Sequence, residues 1–171
     1  MNNIGKQKII KFMDELSSSS PTPGGGSVAA LTGAFSYGLI SMVAQLTLGK
    51  EKYKKAEKRL KQVLSESKGS AKKLLLLADK DAEVFDRVIA AYKTKNKKVA
   101  KKALENATDV PADVKKLSRR AEVLAKVVAR LGNKNALSDA KSAIYLAKAA
   151  QKMADENIRI NKSALARLRK L

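Results

Sequence analysis

A chain of 171 residues with no cysteine and no histidine is long enough for one domain with a buried core. The absence of cysteine excludes disulfides and thiolate metal sites, and the absence of histidine excludes a histidine-based active site. With 36 Lys and Arg residues against 16 Asp and Glu residues, its net charge of +20 attracts nucleic acids, acidic membranes or small multiply anionic ligands. Because the lysines are spread along the chain, a solvated Lys-rich surface explains this charge equally well.

The first predicted elements are a short amphipathic helix over residues 4–16 and a loop over residues 17–26. In the helix, the apolar residues Ile9, Phe12 and Leu16 recur at helical spacing. The loop contains four serines, two prolines and three consecutive glycines, which makes it the most loop-like stretch of the chain.

Residues 28–48 follow without a charge, and this length meets the criterion for a membrane span. We predict instead the central helix of a soluble bundle, because polar residues such as Ser36 and Gln45 interrupt the apolar pattern. The small residues Ala34 and Gly38 belong to a stripe that would let another helix approach closely. The first ten residues do not resemble a secretory signal, so we expect a cytoplasmic protein that does not span a membrane.

The remainder of the chain also has helical periodicity. Residues 51–92 predict one long helix, or two stacked helices broken near Gly69 and Ser70. Residues 95–107 form a basic helical candidate, and Pro111 then starts a further helix that ends at Gly132. A last helix covers residues 138–157 or beyond. The expected fold, over residues 1–171, is an all-α single-domain bundle of about five to seven helices with a Gly-rich loop before a central apolar helix.

The glycine run interrupts this helical pattern at a point where packing alone does not require it. Gly24, Gly25 and Gly26 expose backbone N–H groups, and Ser27 is a suitable N-cap for the helix that follows. A helix N-terminus with free N–H groups favours a carboxylate or phosphate. The alternative is a flexible connector, since no nucleotide-binding motif accompanies the glycines.

Two aspartates lie within a predominantly apolar part of the 51–92 segment. Asp81 lies at the edge of the apolar stripe, beside Phe85, whereas Asp79 lies on the opposite flank. Around Leu74 the predicted helix is apolar on every side, so carboxylates there must be paired or used. Burial would raise their pKa and suit them to proton transfer, while the residue pattern alone favours salt bridges to the many lysines.

Amide side chains form the third interruption of the pattern. Asn133 follows Gly132 and is typical of a helix cap. Asn157 and Asn161 are four residues apart and extend an alanine stripe that includes Ala154. Amides on a line that faces the core need hydrogen-bonding partners, which a ligand with ring nitrogens and carbonyls would supply.

Together these motifs resemble the formiminotetrahydrofolate cyclodeaminase family, which includes methenyltetrahydrofolate cyclohydrolases. The resemblance runs in order through most of the chain: Ser20-Pro21-Thr22-Pro23-Gly24-Gly25-Gly26-Ser27-Val28-Ala29-Ala30, Met42-Val43, Leu46-Thr47, Gly49-Lys50, Tyr53, Asp79, Asp81-Ala82, Phe85, Gly132-Asn133, Ser138-Asp139 and Asn157-Ile158-Arg159-Ile160-Asn161. Such collinear motifs are more specific than any one of them.

The resemblance implies a helical bundle that forms a homodimer, binds tetrahydrofolate and uses no metal or redox cofactor. It implies that Asp79 or Asp81 transfers the proton. The residues implied to contact the folate are Gly24, Gly25, Gly26, Ser27, Asn133, Asp139, Asn157 and Asn161, with Lys50 as the candidate for the glutamate tail. The positive field would attract that tail.

Two reactions fit a site built on carboxylates. In the cyclohydrolase, water adds to the methenyl carbon and the ring opens; in the cyclodeaminase, a folate nitrogen attacks the formimino carbon and ammonia leaves. The chain has no segment resembling the formiminotransferase domain of fused relatives, which favours the hydrolase. The alternatives are a basic nucleic-acid-binding protein, although no helix-turn-helix or aromatic stacking pattern supports it, or an inactive folate-binding family member.

Overall fold

The computed structural model describes residues 4–170, which fold into five α-helices joined by short connections. The α-helices are α1 (Ile9–Leu16), α2 (Gly25–Gln45), α3 (Glu57–Lys93), α4 (Lys97–Leu131) and α5 (Leu137–Lys170), with 3₁₀ turns at Ile4–Lys6, Glu51–Ala56 and Lys134–Ala136. The prediction of an all-α bundle is confirmed.

Helix α2 is the central helix, and it packs against α3, α4 and α5. Tyr37, Ile40 and Val43 on its inner face are fully buried in the main hydrophobic core. Among the described residues, α2 is also the one helix long and apolar enough to cross a membrane by length and composition. Burial against three neighbouring helices explains its lack of charge, as expected for the central helix of a bundle.

The close helix approach on α2 occurs on a different line from the predicted one. Gly38, which belongs to the predicted stripe, is exposed and has no atom near the position of a Cβ. The contact is made instead at Gly33, where a Cβ would lie 2.9 Å from Ser118 Oγ and 3.0 Å from a Leu74 methyl group. The absence of a side chain at Gly33 therefore lets α2 approach α3 and α4.

The alanine stripe of α5 is confirmed as a buried packing surface. Ala143, Ala147, Ala150 and Ala154 are fully buried. A buried hydrogen bond from Ser36 Oγ to the Ala143 carbonyl, 2.8 Å long, joins this stripe to α2. Small side chains at helical spacing bring the α5 backbone close to its neighbours.

Helix α3 continues without interruption through Gly69 and Ser70, so the alternative of one long helix is confirmed and that of two stacked helices is wrong. Gly69 faces open space, and its cost of about 1 kcal/mol relative to alanine is small beside the packing of a helix this long. The expectation that residues 74–77 are buried all round is also wrong. Leu74 is fully buried, but Leu76 is 68% exposed.

Helix α4 likewise continues through Pro111, which does not start a new helix. A proline inside a helix has no N–H to donate to the carbonyl four residues earlier, here that of Ala107. The side chain of Asn161 on α5 replaces the missing donor, with Nδ2 2.9 Å from the Ala107 oxygen. A contact between residues 54 positions apart thus offsets a local helix-breaking signal.

The N-terminal segment forms a 3₁₀ turn and the short helix α1 rather than one helix over residues 4–16. The turn packs against α3 and buries Ile4. Within α1, Phe12 is buried, whereas Ile9 and Ile10 are 74% and 70% exposed. Much of the apolar face of α1 therefore remains uncovered in one copy of the chain.

A second, smaller hydrophobic cluster lies beyond the N-terminal end of α2. It is formed by Val84 and Val88 of α3, Leu104 and Val110 of α4, and Leu165 of α5. Because α2 contributes no residue to this cluster, the bundle continues there with three helices. The groove that α2 fills elsewhere is left open at this point.

Candidate active site

A cavity of about 380 Å³ occupies this open groove at the N-terminus of α2, within the size range of small-molecule sites. The loop before α2, together with α3, α4 and α5, supplies its walls. The lining residues are Pro21, Thr22, Gly24, Gly25, Gly26, Asp81, Val84, Phe85, Val88, Ile89, Tyr92, Leu104, Ala107, Asn157, Ile160, Asn161 and Ala164.

The glycine run supplies the helix N-terminus at this cavity. Helix α2 begins at Gly25 with Gly24 as its N-cap, three residues earlier than expected, so Ser27 is not the N-cap. The first intrahelical bond to Gly24 comes from the N–H of Val28. The N–H groups of the first turn therefore have no partner within the helix, and they give the cavity a positive end.

Ser27 is fully buried and contacts α3 instead of capping its own helix. Its Oγ lies 2.9 Å from the Ala78 carbonyl and 3.2 Å from Asp81 Oδ2, so one hydroxyl proton serves two acceptors. The backbone N–H of Ser27 also favours the charged form of the Asp81 carboxyl and so lowers its pKa. A Cβ at Gly26 would fall on this carboxylate, so the close approach of α2 to Asp81 requires glycine there.

The environment of Asp81 changes its acidity. Burial raises the pKa of the Asp81 carboxyl above its ordinary value, and the hydrogen bonds from the Ser27 side chain and backbone oppose part of that rise. The net direction is upward. A carboxylate with a raised pKa in a cavity is suited to accept and return a proton near neutral pH.

Asp79 lies on a different face of α3 and does not line the cavity. Its Oδ1 accepts a hydrogen bond from the backbone N–H of Ile4, 2.5 Å away, and so holds the N-terminal 3₁₀ turn against α3. The ion pairs found between described side chains include neither Asp79 nor Asp81, so the salt-bridge alternative for these two residues is wrong.

Asn157 and Asn161 line the cavity from α5, on the continuation of the alanine stripe. Asn157 Nδ2 donates to the Met153 carbonyl over 2.9 Å, and Asn161 Nδ2 donates to the Ala107 carbonyl over the same distance. A backbone carbonyl has no proton to give, so the NH₂ group of each amide must face it. The Oδ1 atom of each asparagine retains its acceptor capacity for other partners.

The apolar wall of the cavity was not among the predicted site residues. Phe85, Ile89 and Tyr92 on α3 face Ile160 on α5 across the groove, and all four are exposed apolar side chains in this chain. The signal was present in the sequence, because the apolar periodicity of α3 continues past Asp81 through Phe85 and Ile89. This apolar periodicity could be assigned to a site only from the structure, in which the N-terminus of α2 lies beside Asp81.

The other predicted contacts lie at the opposite end of α2, about 30 Å away for a helix of this length. Asn133 donates from its backbone N–H to Thr47 Oγ1 (2.8 Å) and from Nδ2 to the Leu46 carbonyl (3.2 Å). Its Oδ1 accepts from the Asn135 N–H, so Asn133 is the N-cap of the third 3₁₀ turn, whereas the C-cap of α4, predicted at Asn133, is Gly132. Lys50 precedes the second 3₁₀ turn, and Asp139 lies in the first turn of α5.

The arrangement can bind a flat apolar ligand with hydrogen-bonding edges and can move a proton at Asp81. Within residues 4–170, no group of three or more carboxylates lies close enough together to hold a metal ion. The chemistry available to the cavity is therefore that of one carboxylate, two amides, a serine hydroxyl and the N–H groups of a helix N-terminus.

Comparison with known proteins gives consistent matches over nearly the whole chain. The family model described as formiminotransferase-cyclodeaminase matches residues 8–167. The methenyltetrahydrofolate cyclohydrolase of Methylorubrum extorquens is 42% identical over 170 residues, which cover 94% of this chain and 82% of that protein. The formimidoyltransferase-cyclodeaminase of Sus scrofa is 34% identical over 82 residues, 48% of this chain but 15% of that protein.

A solved structure has the same architecture. The crystal structure of formiminotetrahydrofolate cyclodeaminase from Thermotoga maritima superimposes with a TM-score of 0.91 at 32% identity. The match covers 96% of this chain and 84% of that one. At this level of identity and coverage, the likeness extends to the chain as a whole rather than to one motif.

Proposed function

This chain belongs to the formiminotransferase-cyclodeaminase family and is an enzyme of folate one-carbon chemistry, and we propose that it hydrolyses methenyltetrahydrofolate to formyltetrahydrofolate. The name of the Methylorubrum extorquens relative supports this choice of reaction, because that protein is similar over almost the full length of both chains. The observation that carries the proposal is the partly buried Asp81 carboxylate at the N-terminus of α2, inside a cavity with apolar walls.

The cavity fits the rings of a folate. Phe85, Ile89, Tyr92 and Ile160 offer apolar surface to the flat pterin and aminobenzoyl groups. The amide oxygens of Asn157 and Asn161 can accept from the N–H groups of the pterin edge. We therefore propose that the cavity holds the folate with its methenyl carbon beside Asp81.

In the proposed reaction, the ionised Asp81 carboxylate accepts a proton from water as the water oxygen bonds to the methenyl carbon. The protonated carboxyl then gives this proton to the ring nitrogen that leaves when its bond to that carbon breaks. The hydroxyl proton of the adduct is released as the formyl carbonyl forms, so one proton is released overall. The N–H groups of the α2 N-terminus can stabilise negative charge on the oxygen during this step. These reaction steps require no metal or redox cofactor.

A second candidate is the cyclodeaminase reaction, favoured by the structural likeness to the Thermotoga maritima enzyme. There a folate nitrogen attacks the formimino carbon and ammonia leaves. Asp81 would serve in the same place, since the leaving amine needs a proton and the attacking nitrogen must lose one.

The test measures the loss of the methenyl absorbance band in the wild type, in Asp81→Asn and in the matched control Asp79→Asn. We expect Asp81→Asn to lower kcat by about 10²–10⁴-fold, the usual contribution of a positioned acid–base group, and Asp79→Asn to retain most of its activity. Release of ammonia from formiminotetrahydrofolate by the same three proteins tests the second candidate. Full activity in Asp81→Asn would overturn the assignment of Asp81 for the reaction concerned.

We further propose that two copies associate through the charge-free face of α1 and α2 in a cytoplasmic homodimer. Ile9 and Met13 of α1 and Phe35 of α2 are exposed large apolar residues around a groove lined by Val28 and Leu31. No charged side chain occurs in residues 28–48, whereas the chain carries +20 overall. Two copies that meet at this face can therefore bury apolar side chains without bringing charged side chains of the face together.

Such a dimer would also bear on the residues that lie far from the cavity. If a two-fold axis crosses α2 at right angles, the C-terminal end of α2 in one copy approaches the N-terminal end in the other. Lys50, Asn133 and Asp139 lie near that C-terminal end. In this arrangement they would contribute to the folate site of the second copy rather than to their own.

A further inference from the structure

The Asn161 side chain is held in the cavity by a bond to a carbonyl that a proline leaves without its helical donor. In a regular α4, residue 111 would donate its N–H to the Ala107 carbonyl. Pro111 has no N–H, and the Ala107 carbonyl accepts from Asn161 Nδ2 at 2.9 Å. Asn161 thus supplies a bond that the helix itself cannot make, and it does not share the carbonyl with the N–H of residue 111.

This bond fixes the direction of the amide. The NH₂ group of Asn161 is directed to the Ala107 carbonyl on α4, so Oδ1 is the atom left to accept a bond from a ligand. Asn157, one helical turn earlier, is oriented in the same way by its bond to the Met153 carbonyl. The wall of the cavity formed by α5 therefore offers two acceptors about one turn apart, some 5–6 Å.

We propose that Pro111 is a positioning residue for folate recognition: by freeing the Ala107 carbonyl it orients Asn161 so that Oδ1, together with Asn157 Oδ1, accepts from the amino group and ring N–H of the pterin. The inference rests on the proposed function, because the ligand is the folate. The two amide oxygens would therefore select a ligand that presents N–H donors at this edge, and they would reject a ligand that presents only acceptors there.

A purely structural role does not account for this proline. Pro111 is buried within α4, where a proline is less favourable than any other residue, and an alanine would satisfy the Ala107 carbonyl within the helix itself. Because a carbonyl oxygen can accept two bonds, an alanine N–H would share the Ala107 carbonyl with Asn161. What differs with proline is how firmly the Asn161 amide is held in its orientation in the cavity.

The experiment compares wild type, Pro111→Ala, Asn161→Ala and the double variant for KM, kcat and melting temperature. In Pro111→Ala the new N–H shares the Ala107 carbonyl with Asn161 and weakens the bond that holds the amide in place. We expect KM to rise about threefold to tenfold, up to the effect of one lost ligand hydrogen bond, with kcat within about twofold. We expect the melting temperature to be equal or higher, because alanine favours the helix.

The double variant separates positioning from structure. Once Asn161 is replaced by alanine there is no amide to orient, so adding Pro111→Ala should leave KM unchanged. An unaltered KM in Pro111→Ala, or an equal rise in KM in both backgrounds, would overturn the inference. Asn161→Ala is checked for its helical circular dichroism signal, and Pro111→Ala alone still decides the question if that variant does not fold.

A ligand analogue tests the donor edge directly. In a tetrahydrofolate whose 2-amino group is replaced by methyl, we expect about tenfold weaker binding to wild type and equal binding of the two ligands to Asn161→Ala. Equal binding of both ligands to wild type would remove the claimed recognition. If wild type neither binds nor converts any folate, the proposed function itself fails and this inference with it, an outcome distinct from folate turnover with no effect at Pro111.

Discussion

At the scale of single residues, Asp81 lies between two opposing effects on its acidity. Burial raises the pKa of its carboxyl, and the hydrogen bonds from Ser27 lower it. In the proposed reaction Asp81 must begin ionised, so the rate falls as the pH drops through the pKa of the free enzyme. The position of that acid limb therefore reports the balance between burial and the hydrogen bonds from Ser27.

The substitution Ser27→Ala removes the hydroxyl at 3.2 Å from Asp81 Oδ2. Because this bond favours the ionised form, its loss should raise the pKa of Asp81 further and move the acid limb of kcat/KM to higher pH. The measurement is the pH profile of methenyltetrahydrofolate hydrolysis. Ser36→Ala is the control, since Ser36 is a buried serine on the same helix that donates to Ala143 instead. An acid limb that does not move in Ser27→Ala contradicts the predicted role.

The raised pKa of Asp81 also has a consequence for stability. A carboxyl whose pKa is higher in the folded state binds its proton more tightly there, so folding is disfavoured once the pH exceeds its unfolded and then its folded pKa. Above the folded pKa the folded protein carries this full cost. The neutral variant Asp81→Asn should therefore melt at an equal or higher temperature than wild type at pH 7 and lose its advantage in acid. A lower melting temperature for Asp81→Asn at pH 7 would contradict this explanation.

The two aspartates also show what could be read from the sequence at this scale. Residues two apart on a helix face in nearly opposite directions, and the apolar pattern correctly placed Asp81 and Asp79 on different flanks. The sequence did not indicate the partner of Asp79, because the Ile4 N–H is 75 residues away. Likewise, the bond between Asn161 and the Ala107 carbonyl depends on how α5 packs against α4.

At the scale of elements, the helices were predicted well and their interruptions were not. Gly69 and Pro111 are local signals for ending a helix, yet α3 and α4 continue through both. Each signal carries a local cost, and the tertiary packing of a long helix outweighs it. The loop before α2 was predicted except for Gly25 and Gly26, which form the first turn of α2 beside the cavity.

Gly69 offers a test of this balance. A Cβ there would have no neighbour within 4 Å, and the residue is in the interior of α3. Gly69→Ala should raise the free energy of unfolding by about 1 kcal/mol, measured by denaturant titration, with kcat/KM unchanged. The matched variant is Gly33→Ala, whose Cβ would lie 2.9 Å from Ser118 Oγ and 3.0 Å from Leu74. That variant should be less stable than wild type, and stabilisation by both changes would show that the close approach at Gly33 is unimportant.

At the scale of the whole molecule, the location of the cavity follows from the unequal lengths of the helices. Helix α2 has 21 residues, whereas α3, α4 and α5 have 37, 35 and 34. The longer helices extend past Gly25 and enclose the cavity. The sequence predicted the elements and six of the residues that line the cavity, namely the three glycines, Asp81, Asn157 and Asn161. Which end of α2 these residues share depends on how the helices are aligned in three dimensions.

The uncovered apolar face of α1 and α2 gives the last prediction. Phe35 is 56% exposed within a segment of 21 residues that carries no charge, so Phe35→Glu would place a buried, unpaired carboxylate in the proposed contact between two copies. We expect light scattering after size exclusion to show dimers for wild type and monomers for Phe35→Glu. Tyr145→Glu is the control, since Tyr145 is 67% exposed on α5, outside that face. The salt dependence of the dimer provides a second measurement, because screening of the +20 charge on each copy should strengthen the wild-type dimer. A wild-type monomer at every salt concentration, or a Phe35→Glu dimer as stable as that of wild type, would contradict the proposed contact between two copies at this face.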